Sequence, residues 1–228
     1  MNMIFRREFT AENDRLSLFE IAEQFQKSAE GHVEILGLES EKLMKDNILW
    51  VLIRSEIHIC AGVNKGETIT VETWPGITRH GFYPRRFIFT GEDGRTILTC
   101  ASQWALMDSE TRKMSDHPKA KELVGIRREG EQKMPASKKN FPELVHSISR
   151  KVTEDEIDMN GHLNNCFYLG YAEDIISDYF EPSEIWIEYI REVFEGETVE
   201  IRYTFENDCF YGAGMCGDEP AFYIRAKK

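Results

Sequence analysis

Between Asp158 and Tyr171 the sequence reads D-M-N-G-H-L-N-N-C-F-Y-L-G-Y, with a carboxylate, a carboxamide and an imidazole at every second position: Asp158, Asn160 and His162. A carboxylate and an imidazole can pass a proton, and a carboxamide can donate to a developing oxyanion. An extended backbone projects alternate residues to one side, so the three are expected on one face. Apolar residues at Tyr168, Tyr171, Ala172, Ile175, Ile176 and Tyr179 then recur with period 3.6 and predict a helix over 164–180. The polar trio would stand at its N-terminus, where unpaired N–H groups and the positive dipole end favour negative charge. Asp and Asn before a helix are also ordinary caps. Capping alone does not explain three polar groups on one side of one terminus.

The elements that must position these residues follow from periodicity. Residues 4–10 read as a strand, and Leu18, Ile21, Ala22, Phe25, Ala29, Val33 and Leu36 as an amphipathic helix ending near Gly37. A loop follows, then strands at Leu49–Ile53 (continued after a bend by Glu56–Ile59), Thr68–Thr73, Arg85–Thr90 and Thr96–Asp108, with a hairpin turn at Glu92–Arg95. After a charged stretch the order returns: a strand at Ile148–Val152, the helix, strands at Ile185–Phe194 and Thr198–Phe205, and a last hairpin over 208–226. Gly66-Glu67-Thr68-Ile69-Thr70-Val71 matches Gly196-Glu197-Thr198-Val199-Glu200-Ile201. The chain therefore reads as a tandem duplication, each copy one long helix wrapped by an antiparallel sheet, an α+β class. The expected division is 1–114, a charged linker over 115–145, and 146–228. Aligned before their helices, the first copy has Asp14-Arg15-Leu16-Ser17-Leu18 where the second has Asp158-Met159-Asn160-Gly161-His162. Asn and His are present in the second copy only, which assigns chemistry to the second half and substrate binding to the first.

In the strand from Ile185, alternation puts Trp186, Glu188, Ile190, Glu192 and Phe194 on one face, and residue types alone leave Glu188 and Glu192 both open as a second carboxylate. D-x-N-x-H-x-N-N-x-x-Y leading into an aromatic helix resembles the acyl-acyl carrier protein thioesterases of plant plastids and their bacterial relatives. Ile187-Glu188-Tyr189-Ile190-Arg191-Glu192-Val193 is similar to the family segment whose catalytic Glu follows E-Y-x-R. Glu72-Thr73-Trp74 and Gly81 with Arg85-Arg86 resemble further family segments, so the likeness runs over about residues 5–205. It implies the hotdog fold in double form and a catalytic set of Asp158, Asn160, His162 and Glu192. Glu192 would activate water or attack directly, His162 and Asp158 would orient it and handle protons, and Asn160 with helix-terminal N–H groups would hold the oxyanion. Two departures stand out. Many plant members carry Cys directly after that Glu, where this chain has Val193, so a cysteine nucleophile there is excluded. The family's Lys-Tyr after N-N-x is Phe167-Tyr168 here. Cys166 is expected as a packed thiol.

Composition narrows the rest. The chain has 228 residues and a formal net charge of −12, against nucleic-acid binding as the main task. Between Arg112 and Lys151, including Lys138 and Lys139, Lys and Arg outnumber Asp and Glu by six; this is a solvated basic linker or a landing patch for an acidic partner such as acyl carrier protein. The 14 Phe and 8 Tyr suit an apolar tunnel or an ordinary core equally. No 18-residue apolar run predicts a membrane span, and Met1-Asn2-Met3-Ile4-Phe5-Arg6-Arg7 lacks the apolar region of a signal peptide. Five scattered Cys without C-x-x-C fit free thiols in a reducing, cytoplasmic setting. Gly212-Ala213-Gly214-Met215-Cys216-Gly217 fits G-x-G-x-x-G but leaves too little chain for a dinucleotide domain, so it reads as a turn. G-x-S-x-G and metal-ligand spacings are missing, and neither cofactor nor metal is expected. The expected reaction is hydrolysis of a fatty acyl thioester, ending chain elongation in fatty acid biosynthesis. An acyl-CoA thioesterase or dehydratase of the same fold, and a non-catalytic acyl-binding sensor, are the alternatives. A duplicated chain closes its own pseudo-dimer, and its exposed faces still leave room for a homodimer.

Overall fold

The computed structural model describes residues 3–123, 125–138 and 140–228, so Met1, Asn2 and Lys139 of the stretches above lie outside the described residues. Contacts group the chain into two compact units: Met1–Leu16 with Gln24–Pro135, and Ser17–Glu23 with Ala136–Lys228.

The first unit contains strands β1 (Phe5–Thr10), β2 (Ile48–Ile59), β3 (Thr68–Pro75), β4 (Phe82–Thr90) and β5 (Thr96–Asp108), antiparallel in the order β1-β3-β4-β5-β2. A two-residue β6 (Met114–Ser115) pairs with β5. The bend expected near residue 54 is a register shift between Leu52 and Arg54, inside one continuous β2. Helix α1 (Leu18–Leu36) stops where Gly37 takes φ +66°. There the Gly37 N–H donates to the Glu34 carbonyl and the Leu38 N–H to Val33, a pattern that satisfies the last carbonyls and buries Leu38. Within this unit Phe25 of α1 packs on Phe87 and Phe89 of β4, with ring centroids 4.6 and 5.3 Å away. The loop expected after Gly37 contains a short helix α2 (Ser40–Met44), formed because Leu43 closes a cluster with Leu36, Leu38, Ile48 and Leu106.

The second unit has β7 (His146–Lys151), helix α4 (Asn165–Ile176), β8 (Glu184–Tyr189), β9 (Thr198–Glu206), β10 (Cys209–Cys216) and β11 (Glu219–Lys227). The strand order is β7-β9-β10-β11-β8. Adding six to each strand of the first unit reproduces this order, so the duplication read from one hexapeptide extends to the whole topology. Tyr168, Tyr171, Ala172, Ile175 and Ile176 of α4 are buried as the stripe predicts. Each large side chain so buried contributes about 1.5–3 kcal/mol. Tyr179 does not share that face: the helix ends at Ile176, and the Tyr179 ring lies exposed against Phe205.

Residues 115–145 form their own contacts. A short helix α3 (Pro118–Lys121) comes first. In the first unit Glu131 accepts the Trp74 indole N–H at 2.9 Å and Gln132 donates to the Glu56 carbonyl at 3.0 Å. In the second, the Trp186 indole donates to the Ala136 carbonyl at 3.0 Å, and Phe141 stacks on Tyr223. Each sheet thus has its outer indole satisfied by the connecting chain. Among the described residues no helix is long and apolar enough to cross a membrane.

Candidate active site

Residues 158–162 are not extended, as alternation had suggested; they form a tight turn. The Asp158 N–H donates to the His162 carbonyl at 2.8 Å, and an Ile157–Leu163 bridge closes the loop behind it. Two features of the sequence cause the turn. Gly161 sits at φ +82°, a region that side chains disfavour. The Asp158 carboxylate accepts the N–H of Asn160 at 2.8 Å and of His162 at 3.4 Å, which folds the loop over its own acid. The Asn160 carboxamide donates to the other Asp158 oxygen at 3.4 Å. Asp158, Asn160 and His162 are therefore brought together by local bonding and not by strand alternation.

Helix α4 begins after this turn. Its cap is Asn164, whose side chain accepts the Cys166 N–H at 3.0 Å. Capping thus explains one Asn of the motif and leaves Asn160 outside the helix terminus.

Glu192 is likewise off the expected strand. Strand β8 ends at Tyr189, and the N–H groups of Ile190 and Arg191 both converge on the Ala221 carbonyl, at 2.8 and 3.2 Å, as the chain leaves the sheet. The Leu163 N–H then donates to the Val193 carbonyl at 2.8 Å. That bond joins the two segments. The His162 Nδ1 stands 3.4 Å from the Glu192 Oε1, with the Phe194 ring edge-on to the imidazole at 5.0 Å. His162 is largely shielded and Glu192 a third exposed, so the pair is reachable from solvent.

Glu188 is removed from this site. Tyr189 meets Tyr168 of α4, whereas Glu188, one residue earlier on the opposite face, is buried and accepts the Ser137 hydroxyl at 2.7 Å beneath the connecting chain. Val193 and Cys166 are buried apolar packing. The G-x-G-x-x-G stretch, expected as a turn, is strand β10 as far as Cys216, with only Gly217 in the turn to β11, and Gly214 leaves room for the Phe222 ring, which a Cβ there would meet at 1.9 Å. A cavity in the first unit is lined by Trp74, Arg86, Thr99, Cys100, Arg128 and Glu131 and contains none of the four candidate residues. Among the described residues no group of three or more His, Cys, Asp or Glu could hold a metal ion.

An antiparallel sheet carrying a long helix, present twice in tandem, defines a hotdog-type fold, and comparison with known proteins gives the family. Residues 3–123 match the acyl-ACP (acyl carrier protein) thioesterase N-terminal domain and residues 143–215 its C-terminal domain. The chain belongs to the acyl-ACP thioesterase family. It is 26% identical over 220 residues to a chloroplastic acyl-carrier-protein hydrolase, FATB2, of Cuphea viscosissima, covering 83% of this chain and 52% of that protein. It is also 26% identical over 203 residues to oleoyl-acyl carrier protein thioesterase 1 of Arabidopsis thaliana, covering 79% and 56%. The chain thus spans about half the length of these plant relatives. Its fold superposes on an acyl-ACP thioesterase of Bacteroides thetaiotaomicron with a TM-score of 0.86 at 22% identity, over 99% of this chain and 98% of the other. The 12:0-ACP thioesterase of Umbellularia californica gives 0.83 at 20% identity, over 100% and 97%.

Sequence reading missed the Arg191–Glu197 ion pair, in which the guanidinium reaches the carboxylate at 2.6 Å beside Glu192. The signal was present: Glu197 belongs to the repeated Gly-Glu-Thr, and Arg191 to the E-Y-x-R segment.

Proposed function

We propose that the protein hydrolyses fatty acyl-ACP, releasing a free fatty acid and the carrier's thiol and so ending chain elongation. The observation that carries this is the approach of His162 to Glu192 at 3.4 Å on two loops joined by the Leu163–Val193 hydrogen bond, in a chain of this family. Thioester hydrolysis adds water to the acyl carbon, gathers charge on the carbonyl oxygen and expels a thiolate that must take up a proton. In this reading the Glu192 carboxylate accepts the proton of the attacking water as the new C–O bond forms. The proton then passes, with His162 beside it, to the departing sulfur as the C–S bond breaks. Asp158 holds the His162 backbone. The Asn160 Nδ2 carries two hydrogens, of which the Asp158 contact uses one, and the other is the proposed oxyanion donor.

The test is release of free thiol from one acyl chain carried on ACP and on coenzyme A, across several chain lengths. Faster turnover on ACP is the expected result. Turnover of coenzyme A esters alone would retain the chemistry and reassign the substrate, and no release from either would remove the hydrolase reading.

A further inference from the structure

The segment between β8 and β9 is tied at unusually many points for an exposed turn. The Arg191 Nη1 donates to the Glu192 carbonyl at 2.6 Å, and its guanidinium forks onto Glu197, Nη2 to Oε1 at 2.6 Å and Nη1 to Oε2 at 3.3 Å. The same Glu197 Oε2 accepts the Phe194 N–H at 2.8 Å. Residues 192–194 therefore sit inside a ring closed by one arginine and one carboxylate. Outside the ring, the Leu163 N–H holds the Val193 carbonyl, and Gly196 and Glu197 pair with Val152 at 3.0 and 2.9 Å. Three consecutive residues thus have a backbone group fixed: the Glu192 carbonyl by Arg191, the Val193 carbonyl by Leu163, and the Phe194 N–H by Glu197.

The pair is well placed for such a task. Its side chains are only about a quarter and a third exposed, and a bidentate guanidinium–carboxylate fork fixes direction as well as distance. Glu219 of β11 lies 3.7 Å from the Arg191 Nε, and Cys216 of β10 and Tyr168 of α4 are further titratable neighbours of that guanidinium. The matching turn of the first unit shows what the fold alone requires. There Glu67 accepts the Asn64 N–H at 3.1 Å, but its arginine, Arg95, comes from the β4–β5 hairpin. A carboxylate–arginine clamp on the turn thus belongs to both copies. An arginine immediately before the candidate catalytic residue is peculiar to the second unit.

We infer that Arg191 and Glu197 are positioning residues: their ion pair sets the backbone that holds the Glu192 carboxylate against His162, without touching substrate. The inference rests on the reading of Glu192 and His162 as the catalytic pair. Displacing a reacting group by an ångström can cost on the order of 100-fold in rate. The test compares Arg191→Gln, Arg191→Lys, Glu197→Gln and Glu192→Gln with Glu67→Gln, using the acyl-ACP that wild type turns over fastest. Melting temperature is measured for each variant. The expected result is a kcat lower by roughly 10–100-fold in Arg191→Gln and Glu197→Gln with KM unchanged. The acid limb of their kcat/KM profile moves as well. Arg191→Lys recovers part of the loss, since it keeps the charge without the fork, and Glu67→Gln keeps wild-type kcat. Folded Arg191→Gln or Glu197→Gln with wild-type kcat and pH profile would overturn the positioning role. If Arg191→Gln does not fold, Arg191→Lys and Glu197→Gln decide alone. Inactive Glu192→Gln beside fully active clamp variants removes only the positioning role, whereas near-normal Glu192→Gln removes the catalytic reading and the positioning role together.

Discussion

In the first unit, Asp14 accepts the Lys65 N–H at 2.9 Å, and the turn that follows is fastened by Glu67, whose neighbour Gly66 donates to the Ala11 carbonyl at 2.8 Å. In the second, Gly196 donates to Val152 in the same way, but Asp158 turns inward, accepting the N–H groups of Asn160 and His162. An acid between the first strand and the helix serves the neighbouring turn in one copy and its own loop in the other. The arginine follows the same division, arriving from a distant hairpin in the first copy and from within the turn in the second. One scaffold therefore carries two versions of one junction, a fastened turn and a turn fastened around a carboxylate and an imidazole.

The comparison breaks most visibly if activity does not segregate with it. His162→Ala is expected to lower kcat by on the order of 10²–10⁴-fold, while Asp14→Asn lowers the melting temperature and leaves kcat unchanged; steady-state thiol release with parallel melting curves checks both. The fourth strands differ as well. Strand β4 carries full side chains, whereas β10 has Gly214 beneath the Phe222 ring. Gly214→Ala forces ring or backbone to move and is expected to destabilise by about 1–3 kcal/mol, read from denaturant midpoints.

Acid titration separates the units further. Burial, with the Arg85 charge beside it, lowers the His32 pKa to about 4. The unfolded chain, with an ordinary histidine near 6.5, binds the proton first. His32 thus contributes stability that is full above pH 6.5 and lost as pH falls towards 4. Glu197 is held below the ordinary carboxylate range by its hydrogen bonds from Arg191. Its contribution is present above about pH 4.3 and is lost only as pH falls through its lower folded value. His32→Gln should flatten the stability profile between pH 6.5 and 4, and Glu197→Gln should alter it chiefly below about pH 4.3. The smallest effect is at the helix cap: Asn164→Ala is expected to cost about 1 kcal/mol of stability and little activity, because its carboxamide is committed to the Cys166 N–H.

Periodicity made the architecture legible. The α4 stripe, the Gly37 stop and the repeated Gly-Glu-Thr were each visible as letters, whereas the strand order of the two units was not, because it depends on pairing between strands distant in sequence. The site was legible as residue types but not as geometry. Alternation placed Asp158, Asn160 and His162 on one face of a strand, whereas a positive-φ Gly161 and an acid bonding its own backbone fold them into a turn. Alternation also carried the strand through Glu192, whereas Ile190 and Arg191 share one carbonyl and end it. Hydrogen bonds between segments distant in sequence, such as Leu163 to Val193, leave no periodic trace. The short helix α2 was missed because it is held by packing of Leu43 and not by any pattern of its own.

The central claim is that the Glu192 carboxylate, paired with His162, performs the hydrolysis. Single-turnover thiol release from acyl-ACP by wild type and Glu192→Gln, at matched melting temperature, tests it most directly. The account predicts rapid release by wild type and none above background by the variant. Release by folded Glu192→Gln at a rate near that of wild type would contradict it.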